Sequence, residues 1–130
     1  MFGSGPNDEI GVVIIAHGSR RAEANQDLFQ LVERFRGRGF SRVYPAFLEL
    51  APPDIVASGR QAAADGAKSL VLLPYFLSAG NHVVEDLEDA RTELSLQFPQ
   101  ITVVLAKPLG PHPLLEEILA ARLRESMVDE

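Results

Sequence analysis

Short apolar runs alternate along the chain with longer segments in which apolar residues recur every three or four positions. The runs cover about residues 11–16, 42–48, 69–74 and 101–106. Each run lacks the alternation of a half-exposed strand, which is typical of parallel strands buried on both faces. The longer segments have the spacing of amphipathic helices, and they cover about residues 20–36, 55–66, 81–98 and 114–127. Pro45 favours an edge position for the second strand, because proline donates no ladder hydrogen bond.

Four strand–helix repeats predict an α/β fold with a parallel sheet. Right-handed crossovers then give a single doubly wound domain with helices on both faces and the strand order 2-1-3-4. We assign residues 11–127 to this domain. Residues 1–10 are expected to be a disordered leader, because the first nine are mostly small, polar or acidic and do not form a signal peptide. No apolar run approaches the roughly 20 residues that a membrane span needs.

The apolar stripes of the helices predict which of their faces pack on the sheet. The stripe of the first helix comprises Ala24, Leu28, Leu31 and Phe35. The stripe of the last helix comprises Leu115, Ile118, Leu119 and Leu123. Ser19 follows the first strand closely and belongs to a residue type favoured at helix starts, so we expect it to be the N-cap of the first helix.

Composition narrows the classes of function. Hydrophobic residues make up 46% and charged residues 23% of the chain, which is ordinary for a globular domain. The net charge of −6 argues against nucleic acid as the main partner. The chain has no cysteine, which excludes disulfides, thiolate metal sites and a cysteine nucleophile and fits a cytoplasmic location. Phosphate-binding, dinucleotide-binding and serine-hydrolase motifs are also missing, so we expect no nucleotide cofactor.

Three chemically useful side chains follow three strands that are neighbours in the predicted sheet. His17 follows the first strand, Glu49 follows the second, and His82 begins the helix after the third, about one strand–helix unit apart each time. The carboxyl ends of these strands meet at one edge, where ligands bind in open α/β sheets. Two imidazoles and a carboxylate are a common ligand set for a divalent transition metal, and they leave coordination positions open. Each residue also has an ordinary interpretation as a surface or capping residue.

Several motifs together resemble the short sirohydrochlorin chelatases, which belong to the class II, ATP-independent tetrapyrrole chelatases. The matching segments are residues 16–20 (AHGSR), 46–51 (AFLELA), 74–87 (PYFLSAGNHVVEDL) and 109–113 (LGPHP). The likeness covers about residues 11–123. It implies a chelatase-like fold and the insertion of Co²⁺ or Fe²⁺, with Ni²⁺ as a further candidate, into sirohydrochlorin in cobalamin or siroheme biosynthesis.

The resemblance also implies roles for individual residues. The metal would be held by His17, Glu49 and His82, and one of the two histidines would accept the pyrrole protons, since neutral imidazole serves both purposes. Longer relatives carry two such lobes around the flat macrocycle, so the short form is expected to be a homodimer. His112, between two prolines, is expected to have a local structural role or to contact the mouth of the pocket.

Sirohydrochlorin carries many carboxylates, which local cations or amide donors of this acidic protein must receive. Arg20 and Arg21 are candidates through the fork geometry of arginine, although a solvated helix face is an equally ordinary interpretation of Arg21. Backbone N–H groups at two helix starts, after Ser19 and at Asn81, are further candidates. Phe76 and Leu77 lie in the loop that precedes His82. They form either an apolar wall against the macrocycle or part of the core.

Three other interpretations remain open at this point. A metal-dependent hydrolase could use the same histidines and glutamate to activate water. A non-catalytic metal-binding module would bind the ion without turnover. A flavodoxin-like interaction domain would carry these histidines incidentally.

Overall fold

The computed structural model describes residues 9–127, so most of the predicted leader and the last three residues lie outside it. Four parallel strands form one sheet in the order β2-β1-β3-β4. The strands are β1 (Ile10–Ala16), β2 (Arg42–Phe47), β3 (Ser69–Pro74) and β4 (Thr102–Leu105). The helices are α1 (Ala22–Arg36), α2 (Ile55–Ala64), α3 (Asn81–Gln97) and α4 (Pro113–Met127). The predicted α/β class, strand order and alternation of elements are confirmed.

Strand β1 is the central element, because it pairs with β2 on one side and with β3 on the other. Its five inner residues are all buried, as the unbroken apolar run predicts. Strand β2 lies at the edge of the sheet, which confirms the interpretation of Pro45. Strand β1 begins at Ile10, which is paired with Ser69 of β3. The boundary predicted for the leader, after residue 10, is therefore one residue too late.

Two apolar layers cover the faces of the sheet. On one face Val12 and Ile14 pack with Leu28 and Val32 of α1. The side chains of β1 that alternate with them lie in the other layer, together with residues of α2 and α3. The contact face of α1 is centred on Leu28 and Val32, so the predicted stripe is partly wrong. Ala24, near the start of the helix, is exposed.

Small residues bring α2 close to its neighbours. A Cβ atom on Gly59 would lie 2.6 Å from Leu94 Cδ1 of α3, so only a glycine fits there without movement of the neighbour. A Cβ atom on Gly11 of β1 would lie 2.9 Å from the Cβ of Ala62. Small residues therefore allow α2 to approach both the sheet and α3 closely.

The last helix differs from the prediction. No residue of α4 is buried, and Leu119 and Leu123 are 72% and 61% exposed. An amphipathic pattern shows that a helix has an apolar side, but it does not show what covers that side. The apolar stripe of α4 therefore does not pack into the described core of its own chain. None of the helices in residues 9–127 combines the length and apolarity needed to cross a membrane.

A hydrogen bond links the edge strand to the end of α2. The hydroxyl of Tyr44 donates to Asp65 Oδ2 at 2.5 Å. Partial burial of the ring, with a smaller contribution from the hydrogen bond and the charge of Asp65, raises the pKa of Tyr44 to about 12. The folded chain therefore keeps the phenol neutral at a pH at which an unfolded chain ionises it, since a free tyrosine has a pKa of about 10.

We expect this hydrogen bond to make stability depend on pH in the alkaline range. Because the pKa of Tyr44 is raised in the folded state, its contribution is complete below about pH 10 and is lost as the pH rises towards 12. Urea unfolding of the wild type and of Tyr44→Phe at pH 8, 10 and 11.5 measures this contribution. The difference in unfolding free energy between the two proteins should shift in favour of the variant as pH rises; a constant difference would contradict the assignment.

Candidate functional site

The main-chain ladder continues beyond the carboxyl end of β1. The N–H of Leu48 donates to the carbonyl of Ala16 at 3.0 Å, and the N–H of Glu49 donates to the carbonyl of His17 at 3.1 Å. On the other side of β1, the N–H of Tyr75 donates to the carbonyl of Ile15 at 2.7 Å. The segments after β2 and β3 are thereby held on opposite sides of His17.

Gly18 allows the segments after β1 and β2 to come into contact. Its φ of +99° is a conformation that L-residues rarely adopt. A Cβ atom at this position would lie 1.9 Å from the carbonyl oxygen of Glu49. Leu50, directly after Glu49, also has a positive φ of 70°, which costs energy in a residue other than glycine. The backbone therefore places His17 and Glu49 side by side, and the contact leaves no room for a side chain at Gly18.

A side-chain clamp orders the segment between β1 and α1. The Asn25 side-chain oxygen accepts from the N–H of Ser19 at 3.0 Å, and its amide nitrogen donates to the Ser19 carbonyl at 2.8 Å. The expectation that Ser19 is the N-cap is wrong: Arg21 occupies that position without a side-chain cap. Two residues separate Ser19 from the helix, so its hydroxyl accepts instead from the N–H of Arg21. Sequence reasoning missed Asn25, because a bond across six residues leaves no periodic signal.

The ring of His17 lies against Phe76. The two ring centroids are 4.5 Å apart and the ring planes are tilted by 34°. Phe76 is 8% exposed and belongs to the core, so it supports the histidine and does not form a free wall. Leu77 is 65% exposed and remains available to a ligand. Of the two alternatives open for this pair, Phe76 is core and Leu77 is surface.

The three candidate ligands are all exposed at the carboxyl edge. His17 and Glu49 are joined through their backbones, and His82 is the second residue of α3. Within residues 9–127, no three or more His, Cys, Asp or Glu side chains are close enough together to hold a metal ion. The structure thus brings together the backbones of His17 and Glu49, while the three-ligand metal site stays a prediction.

The candidates for binding carboxylates differ in their surroundings. Arg20 is exposed and has no hydrogen bond or ion pair within the described part of the chain. Arg21 pairs through Nε with Glu23 Oε1 at 3.2 Å. The helix predicted from about residue 20 begins at Ala22, so Arg20 precedes it and Arg21 is its N-cap. Asn81 is the exposed first residue of α3. Arg20 is therefore the freer of the two cations.

An apolar groove of about 550 Å³ lies beside the β3–α3 segment. It is lined by Tyr75, Leu77, Leu109, His112, Leu114, Leu115 and Ile118. Nδ1 of His112 accepts from the N–H of Leu114 at 3.0 Å, which caps the start of α4 and confirms a local structural role. Sequence reasoning missed the groove as a whole, although the exposed Leu77 that it proposed as an apolar wall is part of it.

Comparison with known proteins agrees with this architecture. The chain is 34% identical over 125 residues to the chloroplastic sirohydrochlorin ferrochelatase of Arabidopsis thaliana, covering 95% of this chain and 56% of the relative. It is 26% identical over 115 residues to the sirohydrochlorin cobaltochelatase of Sulfurisphaera tokodaii, covering 88% of this chain and 92% of the relative. A structure of SirB from Bacillus subtilis with Fe³⁺ superposes with a TM-score of 0.84 at 21% identity, covering 92% of this chain and 48% of SirB.

These relatives differ in length. The chain spans about half of the Arabidopsis protein and of SirB, but nearly the whole of the Sulfurisphaera protein. The family model of CbiX matches residues 11–126, from the second residue of β1 almost to the end of α4. Because this match includes every strand and every helix of the fold, the chain belongs to the CbiX family.

Proposed function

We propose that this chain inserts a divalent metal ion into sirohydrochlorin, with Co²⁺ and Fe²⁺ as the main candidates and Ni²⁺ as a further one. The observation that carries the proposal is that His17, Glu49 and His82 follow three neighbouring strands of a CbiX-family sheet at one edge. The names of the relatives support both metals, since one is a ferrochelatase and the other a cobaltochelatase. No nucleotide takes part, so the driving force is metal–macrocycle bonding.

In this proposal the ion is a substrate held by the two imidazoles and the carboxylate. Nitrogen and oxygen ligands of this kind suit Co²⁺, Fe²⁺ and Ni²⁺ alike, and their affinities follow a common order whichever site binds them. Glu49 offsets part of the charge of the ion. With three protein ligands, coordination positions stay open for the pyrrole nitrogens of the incoming macrocycle.

Insertion also requires that two pyrrole nitrogens lose their protons. A neutral imidazole is the side chain best suited to accept a proton near neutral pH. Either histidine serves as acceptor once it has given up the metal, and the released protons pass to solvent because both residues are exposed. The contact with Phe76 supports the ring of His17 while this exchange takes place.

The macrocycle would lie against the exposed Leu77 and the apolar groove beside it. Arg20 is the cation available for a peripheral carboxylate, and N–H groups near Ser19 and at Asn81 are further donors. One sheet edge offers one wall to a flat substrate. A cytoplasmic homodimer, in which two copies face each other, would supply the second wall.

We expect the wild type to accelerate metallation of sirohydrochlorin under anaerobic conditions. The visible spectrum should change faster than in a protein-free control with Co²⁺ or Fe²⁺. His17→Ala and His82→Ala should each lower the rate on the order of 100-fold, since they remove a ligand and a proton acceptor. Glu49→Gln should lower the rate less, because the amide oxygen of glutamine still coordinates the ion. Glu117→Gln, at an exposed position of α4, is the matched control for this substitution.

Distinct outcomes would contradict distinct parts of this proposal. No acceleration with Co²⁺, Fe²⁺ or Ni²⁺ would refute the chelatase activity; ester hydrolysis in its place would favour the metal-dependent hydrolase, and binding without turnover the metal-binding module. Co²⁺ affinity that is unchanged in His17→Ala and in His82→Ala would refute the ligand assignment even if the activity survived.

A second variant tests the backbone contact below the proposed ligands. Gly18→Ala forces a methyl group into the carbonyl of Glu49 and strains a positive φ, at a cost on the order of 1–3 kcal/mol. We expect at least about a tenfold loss of chelatase rate with the fold retained by circular dichroism. Gly80→Ala is the matched control, because a Cβ atom there meets nothing within 4 Å. Equal rates for the two variants would show that the His17–Glu49 contact is unimportant.

A further inference from the structure

The connection from β1 to α1 is held by different partners on the two sides of Gly18. Before Gly18, the carbonyl of His17 accepts from the N–H of Glu49. After Gly18, both backbone polar groups of Ser19 are bonded to the side chain of Asn25. The half of the connection that carries a proposed metal ligand is therefore anchored separately from the half that leads into the helix.

The side chain of Asn25 bonds to Ser19 as the main chain of a neighbouring strand would. Its oxygen accepts from the Ser19 N–H at 3.0 Å, and its amide nitrogen donates to the Ser19 carbonyl at 2.8 Å. A residue of an antiparallel strand makes the same pair of bonds to the residue opposite. Aspartate at this position would lack the donor, and alanine would lack both groups. Asn25 is half-buried, so water competes less for these two bonds than it does at a fully exposed residue.

This clamp fixes the main chain on both sides of Arg20. Ser19 is held by Asn25, and the Ser19 hydroxyl in turn accepts from the N–H of Arg21 at 3.0 Å. Arg21 is the N-cap of α1, so these bonds link the connection to the first turn of the helix. The exposed side chain of Arg20 has no hydrogen bond or ion pair within residues 9–127. A cation that is free of partners and stands on a fixed main chain is suited to receive an anion at a low cost in entropy.

We propose that Asn25 is a positioning residue for substrate binding: by holding Ser19, it fixes the main chain from which Arg20 reaches a peripheral carboxylate of the macrocycle. This inference rests on the proposed function and deepens it. Asn25 serves recognition of the tetrapyrrole and not metal binding, because His17 has its own anchor on the other side of Gly18. Without the clamp, the main chain around Arg20 would sample more conformations, and fixing it on binding would cost affinity.

Binding of metal-free sirohydrochlorin, followed by its absorption spectrum, measures this role without any metal chemistry. Asn25→Ala should weaken the binding about tenfold, because alanine removes both bonds while favouring the helix. The Co²⁺ affinity of this variant and its kcat for metallation should stay within about twofold of the wild-type values. Gln26→Ala is the matched control. Gln26 is the next residue of α1, is exposed and has no hydrogen bond within the described residues, so its substitution should leave the affinity unchanged.

A second pair of variants keeps the test decisive even where Asn25→Ala does not fold. Asn25→Asp keeps the acceptor for the Ser19 N–H but loses the donor to the Ser19 carbonyl. Gln26→Glu adds the same negative charge one residue further along the helix. Asn25→Asp should therefore weaken sirohydrochlorin binding more than Gln26→Glu does, and equal affinities of the two variants would overturn the proposal.

A double-mutant cycle shows whether Asn25 acts through Arg20. Arg20→Ala alone should weaken sirohydrochlorin binding at least about tenfold, because it removes a charged hydrogen-bond donor. Adding Asn25→Ala to this variant should cause less than about a twofold further loss. Losses that multiply in the double variant would refute the route through Arg20. Reduced stability and kcat in Asn25→Ala, with unchanged affinity for sirohydrochlorin, would show that the clamp is purely structural.

The proposed function and the role of Asn25 fail in different ways. A wild type that binds sirohydrochlorin without metallating it, together with the expected loss of affinity in Asn25→Ala, would overturn the proposed function alone. A wild type that metallates sirohydrochlorin, together with an Asn25→Ala variant that binds the macrocycle equally tightly, would overturn the role of Asn25 alone.

Discussion

Main-chain pairing on both sides of β1 positions the segments that follow β1, β2 and β3 at the carboxyl edge of the sheet. The ladder does not stop at the end of the strand: it continues as the bond from the Glu49 N–H to the His17 carbonyl. Since parallel pairing has a fixed spacing, two residues 32 positions apart in sequence become neighbours without any interaction between their side chains. Burial of Val12 to Ile15 between two helical layers keeps β1 in place.

Burial on both faces also explains why most of the fold could be predicted. A strand covered on both sides must be apolar throughout, as the five buried inner residues of β1 show. Strand β3 has the bounds expected from its apolar run, Ser69–Pro74, but only every second residue of it is fully buried. Pro45 marks the edge strand because the cost of a missing donor is local. The crossover rule then leaves few arrangements of four strands, and the observed order is one of them.

The features that could not be predicted depend on interactions distant in sequence or on exposed side chains. The clamp of Asn25 on Ser19 depends on the path of the chain before α1. Phe76 and Leu77 are adjacent apolar residues that the sequence pattern does not distinguish. In the structure Phe76 belongs to the core and Leu77 lies on the surface. The geometry of the proposed ligands is open for a similar reason, since exposed side chains choose among rotamers that periodicity does not restrict.

The exposure of His17, Glu49 and His82 has a consequence for how long an ion would stay bound. Their backbones belong to the sheet edge and to the first turn of a helix. Capture and release in the proposed site would therefore need only side-chain rotation. Such rotations take picoseconds to nanoseconds, whereas opening of a closed cage takes microseconds or more. If these residues hold the ion as proposed, its residence would be governed by ligand exchange at the ion itself, and this edge of the sheet would be a transit point and not a store.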